Sequence, residues 1–233
     1  MRTAARRDNR NRTRYDRVPV TPADYAKARR LLMRRDPILA RLIKRHGACG
    51  LAAAQRADHF TAIVRAITGQ QLSTKAATTI FNRLVALMSD GHLTPGAMAG
   101  LSDEALRAAG MSRQKIKYFR DLVERIQGGA LSLDALDVMS DDEVIAALTK
   151  VKGIGRWSAE MFLMFRLHRP DVLPVDDLGI VNAVKNVYRL RKKPTADRIR
   201  RLGEAWRPYR SVASWYLWRS LENEPVSKEP DAT

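Results

Sequence analysis

The sequence predicts an all-α fold. Three observations carry that expectation. Apolar residues recur at three- and four-residue spacing along most of the chain, short polar capping residues precede these runs, and alternating apolar–polar stretches of strand type are nearly absent. Thr21 before Pro22 is an N-cap with proline at the first helical position, opening a helix to about Met33. Pro37 opens a second helix with Leu39, Leu42 and Ile43 on one face, ending near Gly47. Asp58 begins a third that carries Phe60, Ile63, Val64 and Ile67 and runs into Gly69, Gln70, Gln71 and Leu72. Ser73 caps a fourth, whose expected face is Ala76, Ile80, Leu84 and Leu87. Ser102 starts a short helix that stops at Gly110. Ser112 starts a longer one through Ile116, Phe119, Leu122 and Ile126, closed by Gly128 and Gly129. Ser140 and Glu143 have the spacing of a capping box. Residues 172–175 contain Pro174 and read as an extended loop. The first two helices are expected to pack with the C-terminal ones, leaving about 60–150 as a second lobe.

Charge is the strongest global signal. Among 233 residues, 42 Lys+Arg stand against 25 Asp+Glu, a formal +17. Residues 1–17 hold seven Arg and two Asp, and 223–233 hold one Lys against three acids; the remaining residues keep +14. The ends read as a disordered basic arm and a flexible tail flanking a domain at 18–222. So much positive charge repels itself and suits a polyanionic partner, nucleic acid before an anionic membrane surface. No apolar run approaches the roughly 20 residues that span a bilayer, so no membrane partner is expected. The single cysteine, Cys49, makes no internal disulfide and no four-cysteine iron–sulfur cluster, which fits an intracellular compartment. His46, His59, His92 and His168 are scattered and form no visible metal set.

The most informative stretch runs from Leu148 through Thr149, Lys150, Val151, Lys152, Gly153, Ile154, Gly155, Arg156, Trp157 and Ser158 to Ala159 and Glu160. A capped helix ends near Lys150, two glycines allow a tight turn with backbone angles closed to other residues, and a second helix starts at Arg156 with Ala159, Phe162 and Leu163 on its buried side. A main chain bare of side chains can approach a phosphate. Amides at the new helix N-terminus can then bind it, with Lys150, Lys152 and Arg156 adding charge. That is a sequence-independent grip on a nucleic-acid backbone; an ordinary helical turn with two glycines is the plainer alternative.

The stretch from Val151 to Ala159 resembles the helix-hairpin-helix of the base-excision DNA glycosylase superfamily, with the hairpin spanning about 141–167. Downstream, residues 171–180 resemble that superfamily's Pro-containing loop with an essential aspartate. Upstream, residues 66–75 resemble the segment that fills the gap left by a flipped base. Residues 206–218 resemble the closing helix of its alkylpurine branch, DNA-3-methyladenine glycosylase II. The likeness covers about 55–220.

The resemblance implies a two-lobed helical fold with an active-site cleft between the lobes and a monomeric enzyme. It implies hydrolysis of the N-glycosidic bond of alkylated purines of 3-methyladenine type in double-stranded DNA. Asp177 is implied as the catalytic carboxylate, with Asp176 the alternative, and one of the pair as a helix N-cap. Trp157 and Trp218 match aromatic positions of the base pocket, while Trp206, Tyr209, Trp215 and Tyr216 read as core or pocket wall. Gln71, then Leu72, then Gln70 are the candidates for the plug, unless the glutamines only cap their helix. Lys152, Gly153, Ile154, Gly155 and Arg156 are implied as DNA contacts. Backbone carbonyls of Thr149, Val151 and Ile154 are implied as ligands for a structural monovalent cation, Na+ or K+; no other cofactor is required.

Lyase-competent relatives carry a Lys where Trp157 stands, so a monofunctional enzyme is expected. Met161 stands where some relatives place a Tyr, which leaves the lesion range open. Some relatives add an N-terminal sheet domain, and a chain beginning this near the helical part points to a compact form. Such an enzyme would act in the nucleoid of a bacterium or the nucleus of a eukaryote. Two other readings remain at this stage: a non-catalytic hairpin that only binds DNA, and a glycosylase for oxidised or mismatched bases.

Overall fold

The computed structural model describes residues 22–53 and 57–222. The basic arm, the tail and the Thr21 cap expected from the sequence lie outside the described residues. Within them the chain forms twelve α-helices and no strand, and no helix is long and apolar enough to cross a membrane. It divides into two compact units. One takes its described residues from Met1–Ala54 and His168–Thr233, and the other is Gln55–Leu167. The middle unit therefore extends past the expected limit near 150, and both helices of the hairpin belong to it.

The discontinuous unit contains α1 (Pro22–Arg35), α2 (Pro37–His46), α10 (Leu178–Val187), α11 (Ala196–Gly203) and α12 (Arg210–Arg219). Leu32, Leu39, Ile43, Ile180, Val184, Trp206, Ala213 and Tyr216 close its core. Asp36, buried at the corner between α1 and α2, ties its distant segments together. Its Oδ1 accepts the Ile38 and Leu39 amides at 2.8 and 3.1 Å. Its Oδ2 accepts the Trp206 indole N–H at 2.9 Å and the Tyr188 hydroxyl. Burial and the Asp36 carboxylate push the Tyr188 hydroxyl well above its ordinary range. A buried carboxylate met by four donors is satisfied rather than stranded, and it fixes the far end of α10. Asp171 works likewise on the loop before α10. It accepts from Arg207 at 2.8 Å and from Arg210 at 2.7 Å.

The middle unit contains α3 (His59–Gly69), α4 (Thr74–Ala86), α5 (Pro95–Ala99), α6 (Asp103–Ala108), α7 (Arg113–Gln127), α8 (Asp141–Leu148) and α9 (Arg156–Phe165). Local chemistry explains its boundaries. Asp58, Ser73, Ser102 and Ser112 each accept an amide of the first turn, and Ser140 with Glu143 forms the expected capping box. One expectation fails on α4. Its buried residues are Phe81 and Leu84, continued by Met88, whereas Leu87 is exposed. The face is rotated because Phe81, beneath the Arg65 guanidinium 4.1 Å from its ring centroid, packs inward against α3.

The two units differ sharply in charge. Residues 55–167 carry 14 Lys+Arg against 12 Asp+Glu, a net +2. Residues 18–54 and 168–222 carry 20 against 8, a net +12.

Candidate functional site

The hairpin turn is held from below by α7. Gly153 has φ +81, and a Cβ there would lie 2.2 Å from the Tyr118 ring, so glycine is required twice over. Gly155 differs from expectation. Its φ is −91, which any residue adopts, and a Cβ there would meet nothing within 4 Å. What Gly155 contributes is open space in front of α9. It is the N-cap of that helix, and no side chain caps the first turn. Amides at such a start are oriented to receive an anion.

Two of the basic flanks also have carboxylate neighbours. Lys152 Nζ stands 3.3 Å from Asp121, and Arg156 Nε stands 3.0 Å from Glu160. Asp121 Oδ2 accepts the Lys152 amide at 2.9 Å and the Arg125 Nε at 2.8 Å. The Lys152 amide is thus spent on the turn itself and is not offered to a phosphate. Burial works against the charge of Asp121, but the hydrogen bonds from Arg125 and Lys152 prevail and hold its carboxyl below the ordinary carboxylate range. Ile154 is buried as the apolar anchor of the turn, and its amide donates to Val151 O at 3.1 Å. Thr149 and Lys150 are exposed.

The loop after α3 separates the three plug candidates. Gln70 is the C-cap of α3, and its Nε2 donates to Gly153 O at 2.7 Å, so this side chain braces the hairpin. Gln71 is exposed and has φ +57, a left-handed conformation that is uncommon for a side-chain-bearing residue. Leu72 beside it is 40% exposed. Lys115 of α7 reaches under this loop and donates from Nζ to Thr68 O at 2.7 Å and Gln70 O at 2.8 Å. Burial lowers the pKa of its ammonium. Sequence reasoning missed Lys115 and Asp121. Their only sequence signal is that a Lys and an Asp interrupt the core-facing side of α7, and their partners are 45 and 31 residues away.

A groove of about 670 Å³ runs beside this loop within the middle unit. Gln70, Gln71, Leu72, Trp157, Met161 and Phe165 are among its lining residues. Trp157 is 48% exposed, although it sits in the first turn of a helix whose opposite side is fully buried. A large aromatic held out on a groove wall offers a face for stacking.

The discontinuous unit carries the carboxylate candidates. Asp177 is the N-cap of α10, its Oδ1 accepting the Ile180 amide at 2.8 Å. The same oxygen accepts the Trp218 indole N–H from α12 at 2.8 Å. Asp176 is exposed. The capping role and the family position therefore fall on one residue, not one on each. Trp218 is half-buried and serves Asp177 directly. Gly179 was also missed. A Cβ there would lie 2.9 Å from both Asp177 Oδ1 and Trp218 Cδ1, so its absence lets the indole reach the carboxylate. Trp206 and Tyr216 are fully buried, Tyr209 is buried, and Trp215 packs edge-on against Tyr216. His59 and His168 are buried, with His59 Nε2 3.1 Å from Asp137 Oδ2 and His168 Nδ1 3.5 Å from the Tyr25 hydroxyl. Among the described residues no group of three His, Cys, Asp or Glu could hold a metal.

Comparison with known proteins agrees with this geometry. A model of the HhH-GPD superfamily base excision DNA repair proteins matches residues 64–208. DNA-3-methyladenine glycosylase 1 of Schizosaccharomyces pombe is 37% identical over 176 residues, 75% of this chain and 77% of that protein. The alkylbase DNA glycosidase-like protein mag2 of the same yeast is 32% identical over 84% of this chain and 94% of its own. Among solved structures, S. pombe 3-methyladenine DNA glycosylase (Mag1) in complex with abasic DNA superposes with a TM-score of 0.71 at 35% identity, covering 89% of this chain and 99% of that one. A DNA-3-methyladenine glycosidase from Bacillus halodurans gives 0.74 at 37% identity, covering 83% and 88%.

Proposed function

Because this chain belongs to the HhH-GPD superfamily of base excision DNA repair proteins, we propose that it is a monofunctional DNA glycosylase. It hydrolyses the N-glycosidic bond of flipped-out alkylated purines, of the 3-methyladenine type, in double-stranded DNA. One observation carries the reading: Asp177 is anchored through Oδ1 by two donors at the start of α10. Cleavage of a glycosidic bond builds positive charge on the sugar, and a carboxylate held in one orientation stabilises that charge without reorganising. Alkylated purines are already good leaving groups, so little acid catalysis is needed. Trp157 supplies an electron-rich face for an electron-poor base, and an indole offers no amine for Schiff-base chemistry, which supports hydrolysis without lyase activity.

A base inside a duplex must leave the stack to be reached. Gln71, exposed and held in a left-handed conformation, is the residue that fills the gap, with Leu72 beside it. Gly153, Gly155 and the first turn of α9 hold a backbone phosphate, with Lys152 and Arg156 alongside. Carbonyls of Thr149, Val151 and Ile154 would hold a Na+ or K+ ion at the turn, adding positive charge for that phosphate. The Val151 carbonyl already accepts from Ile154 and keeps its second lone pair for such an ion. No other cofactor is required. The protein acts as a monomer wherever the genome is, nucleoid or nucleus.

The test is release of free bases from alkylated duplex DNA by the wild type and by Asp177→Asn. The wild type should release 3-methyladenine and the variant should not. Equal release by both would refute the role of Asp177, and tight DNA binding without release by the wild type would leave only a binding module. A borohydride-trapped adduct would refute the monofunctional assignment.

A further inference from the structure

The hairpin does not account for the charge of this molecule. The unit that contains it is nearly neutral, and two of its three hairpin cations, Lys152 and Arg156, stand against carboxylates. The excess lies in the discontinuous unit: residues 27–45 hold eight Lys+Arg against one acid, and residues 185–204, where α10 ends and α11 begins, hold eight against two. Among the described residues, Arg189, Arg191, Lys192, Lys193, Arg198 and Arg201 are all exposed and none makes an ion pair; only Asp197 and Glu204 lie near them in sequence, and these bond Arg200 and Arg207.

This basic cluster has a fixed support. Leu190 N donates to Lys185 O at 2.9 Å and Arg189 N to Asn186 O at 3.2 Å, the bond pattern of a Schellman closure of α10. Pro194 is buried and Ile199 is fully buried, pinning the loop and α11 to the core.

Helix-end electrostatics do not explain the cluster. A cation near the last turn of α10 suits the helix dipole, but Arg198 stands in the first turn of α11, where a cation is unfavourable. Arg189 is the more telling residue. It occupies the left-handed closing position with φ +52, where glycine is free of strain and arginine is not. A charged residue is kept there against local stability.

We propose that the loop after α10 and the exposed side of α11 form a second duplex-DNA contact, one that holds the phosphates of a DNA segment other than the one presenting its base to Asp177. Asp177 caps the opposite end of the same helix, and ten residues of helix span about 15 Å. The cluster therefore lies at the other end of α10 from the carboxylate, about a helix length away. Two backbone contacts on one molecule let it capture a new segment before releasing the old one. The proposal rests on the glycosylase reading only in taking duplex DNA as the polyanion.

The experiment is a bridging assay with two undamaged duplexes, one immobilised and one fluorescent, run across a salt series with the full chain. The wild type should retain the fluorescent duplex on the surface. The triple variant Arg191→Gln/Lys192→Gln/Lys193→Gln should not, and its slope of log affinity against log salt should be shallower by about 2.7, from roughly 0.9 per lost phosphate contact. Excision from a short alkylated duplex at saturating enzyme should stay within about twofold of wild type, since none of the three is part of the catalytic site. Arg189→Gly separates function from structure: its melting temperature should hold or rise while bridging weakens. Bridging by the triple variant at the wild-type level, or no bridging by the wild type, would each overturn the proposal. Failure of the glycosylase reading would show separately, as bridging without release of any alkylated base.

Discussion

The two units of this molecule meet DNA on different terms. The middle unit holds the hairpin and the exposed Gln71, yet it carries only +2, and two of its three hairpin cations are paired with Asp121 and Glu160. The discontinuous unit carries +12 and holds Asp177 at the head of α10. On the proposed function, grip in the first comes from geometry: a glycine pressed on an aromatic ring, an amide pinned by a carboxylate, an uncapped helix start. Long-range attraction is what we propose for the second. A charged cluster draws DNA from a distance but does not orient it, because Coulomb attraction has no register. A rigid turn has register and little reach. Such a division would leave the gripping unit with its charges balanced, while the other bears the self-repulsion.

If chemistry and grip are separable in this way, they should fail separately. Asp177→Asn is expected to have the largest effect, a fall of about 10³-fold in single-turnover excision, with duplex affinity within about twofold of wild type. Gel-shift and base-release assays on one preparation check it. A matching loss of affinity would show that the carboxylate also organises binding.

Gly153→Ala is the complementary break. The new methyl would sit 2.2 Å from Tyr118 Cδ2 at φ +81, so the turn must shift. Duplex affinity should fall by about tenfold or more, corresponding to about 1.4 kcal/mol or more, with Asp177 untouched. Adding Tyr118→Ala should recover part of the loss, because it relieves the clash but leaves the unfavourable backbone, for which about 1 kcal/mol remains. A double-mutant cycle in binding measures that coupling. No recovery would mean that Tyr118 itself supports the turn more than it restricts residue 153.

Lys115→Met tests whether the plug loop and the hairpin are one device. The Lys115 ammonium bonds two carbonyls at the end of α3, and Gln70 passes the connection on to Gly153. Removing the ammonium leaves both carbonyls and Gln71 without their brace. Excision should fall about tenfold, from a positioning loss of about 1.4 kcal/mol, while affinity for undamaged duplex changes little. Lys115→Arg should restore part of the rate. Equal effects on lesion-bearing and undamaged DNA would show only a folding role.

These residues also mark what the sequence could and could not disclose. The caps at Asp58, Ser73, Ser102, Ser112 and Ser140 were legible because a cap is made with an amide at most three residues on. Trp157, Gln71 and Asp177 were singled out by resemblance, because a motif keeps its order along the chain. The Asp121–Lys152, Lys115–Gln70 and Asp177–Trp218 contacts span 31, 45 and 41 residues, and no local pattern encodes them. Gly155 misled for a related reason. Sequence shows that a residue is glycine, but not whether its angle or its missing side chain is the reason. The α4 face misled because Phe81 and Leu87 are equally apolar, and only the neighbouring helix decides which is inside.

The smallest expected effect bears most directly on geometry against charge. Asp121→Asn adds one positive charge to the hairpin unit and frees Lys152 Nζ, so a grip governed by charge would tighten. The same change weakens the acceptor of the Lys152 amide, so a grip governed by geometry would loosen. Affinity should fall about threefold, or about 0.65 kcal/mol, despite the gained charge. Acid should act on the wild type in the same way. The folded-state pKa of Asp121 lies below its unfolded value near 3.9, so its contribution is fully present above about pH 4 and is lost as pH falls through the lower, folded value. Hydrogen exchange of the 151–155 amides should therefore be flat in protection from about pH 5 to 8 and weaken below about 4 in the wild type, with no such step in Asp121→Asn. A variant that binds more tightly than wild type would place the grip with charge after all, and the division of labour between the two units would fall with it.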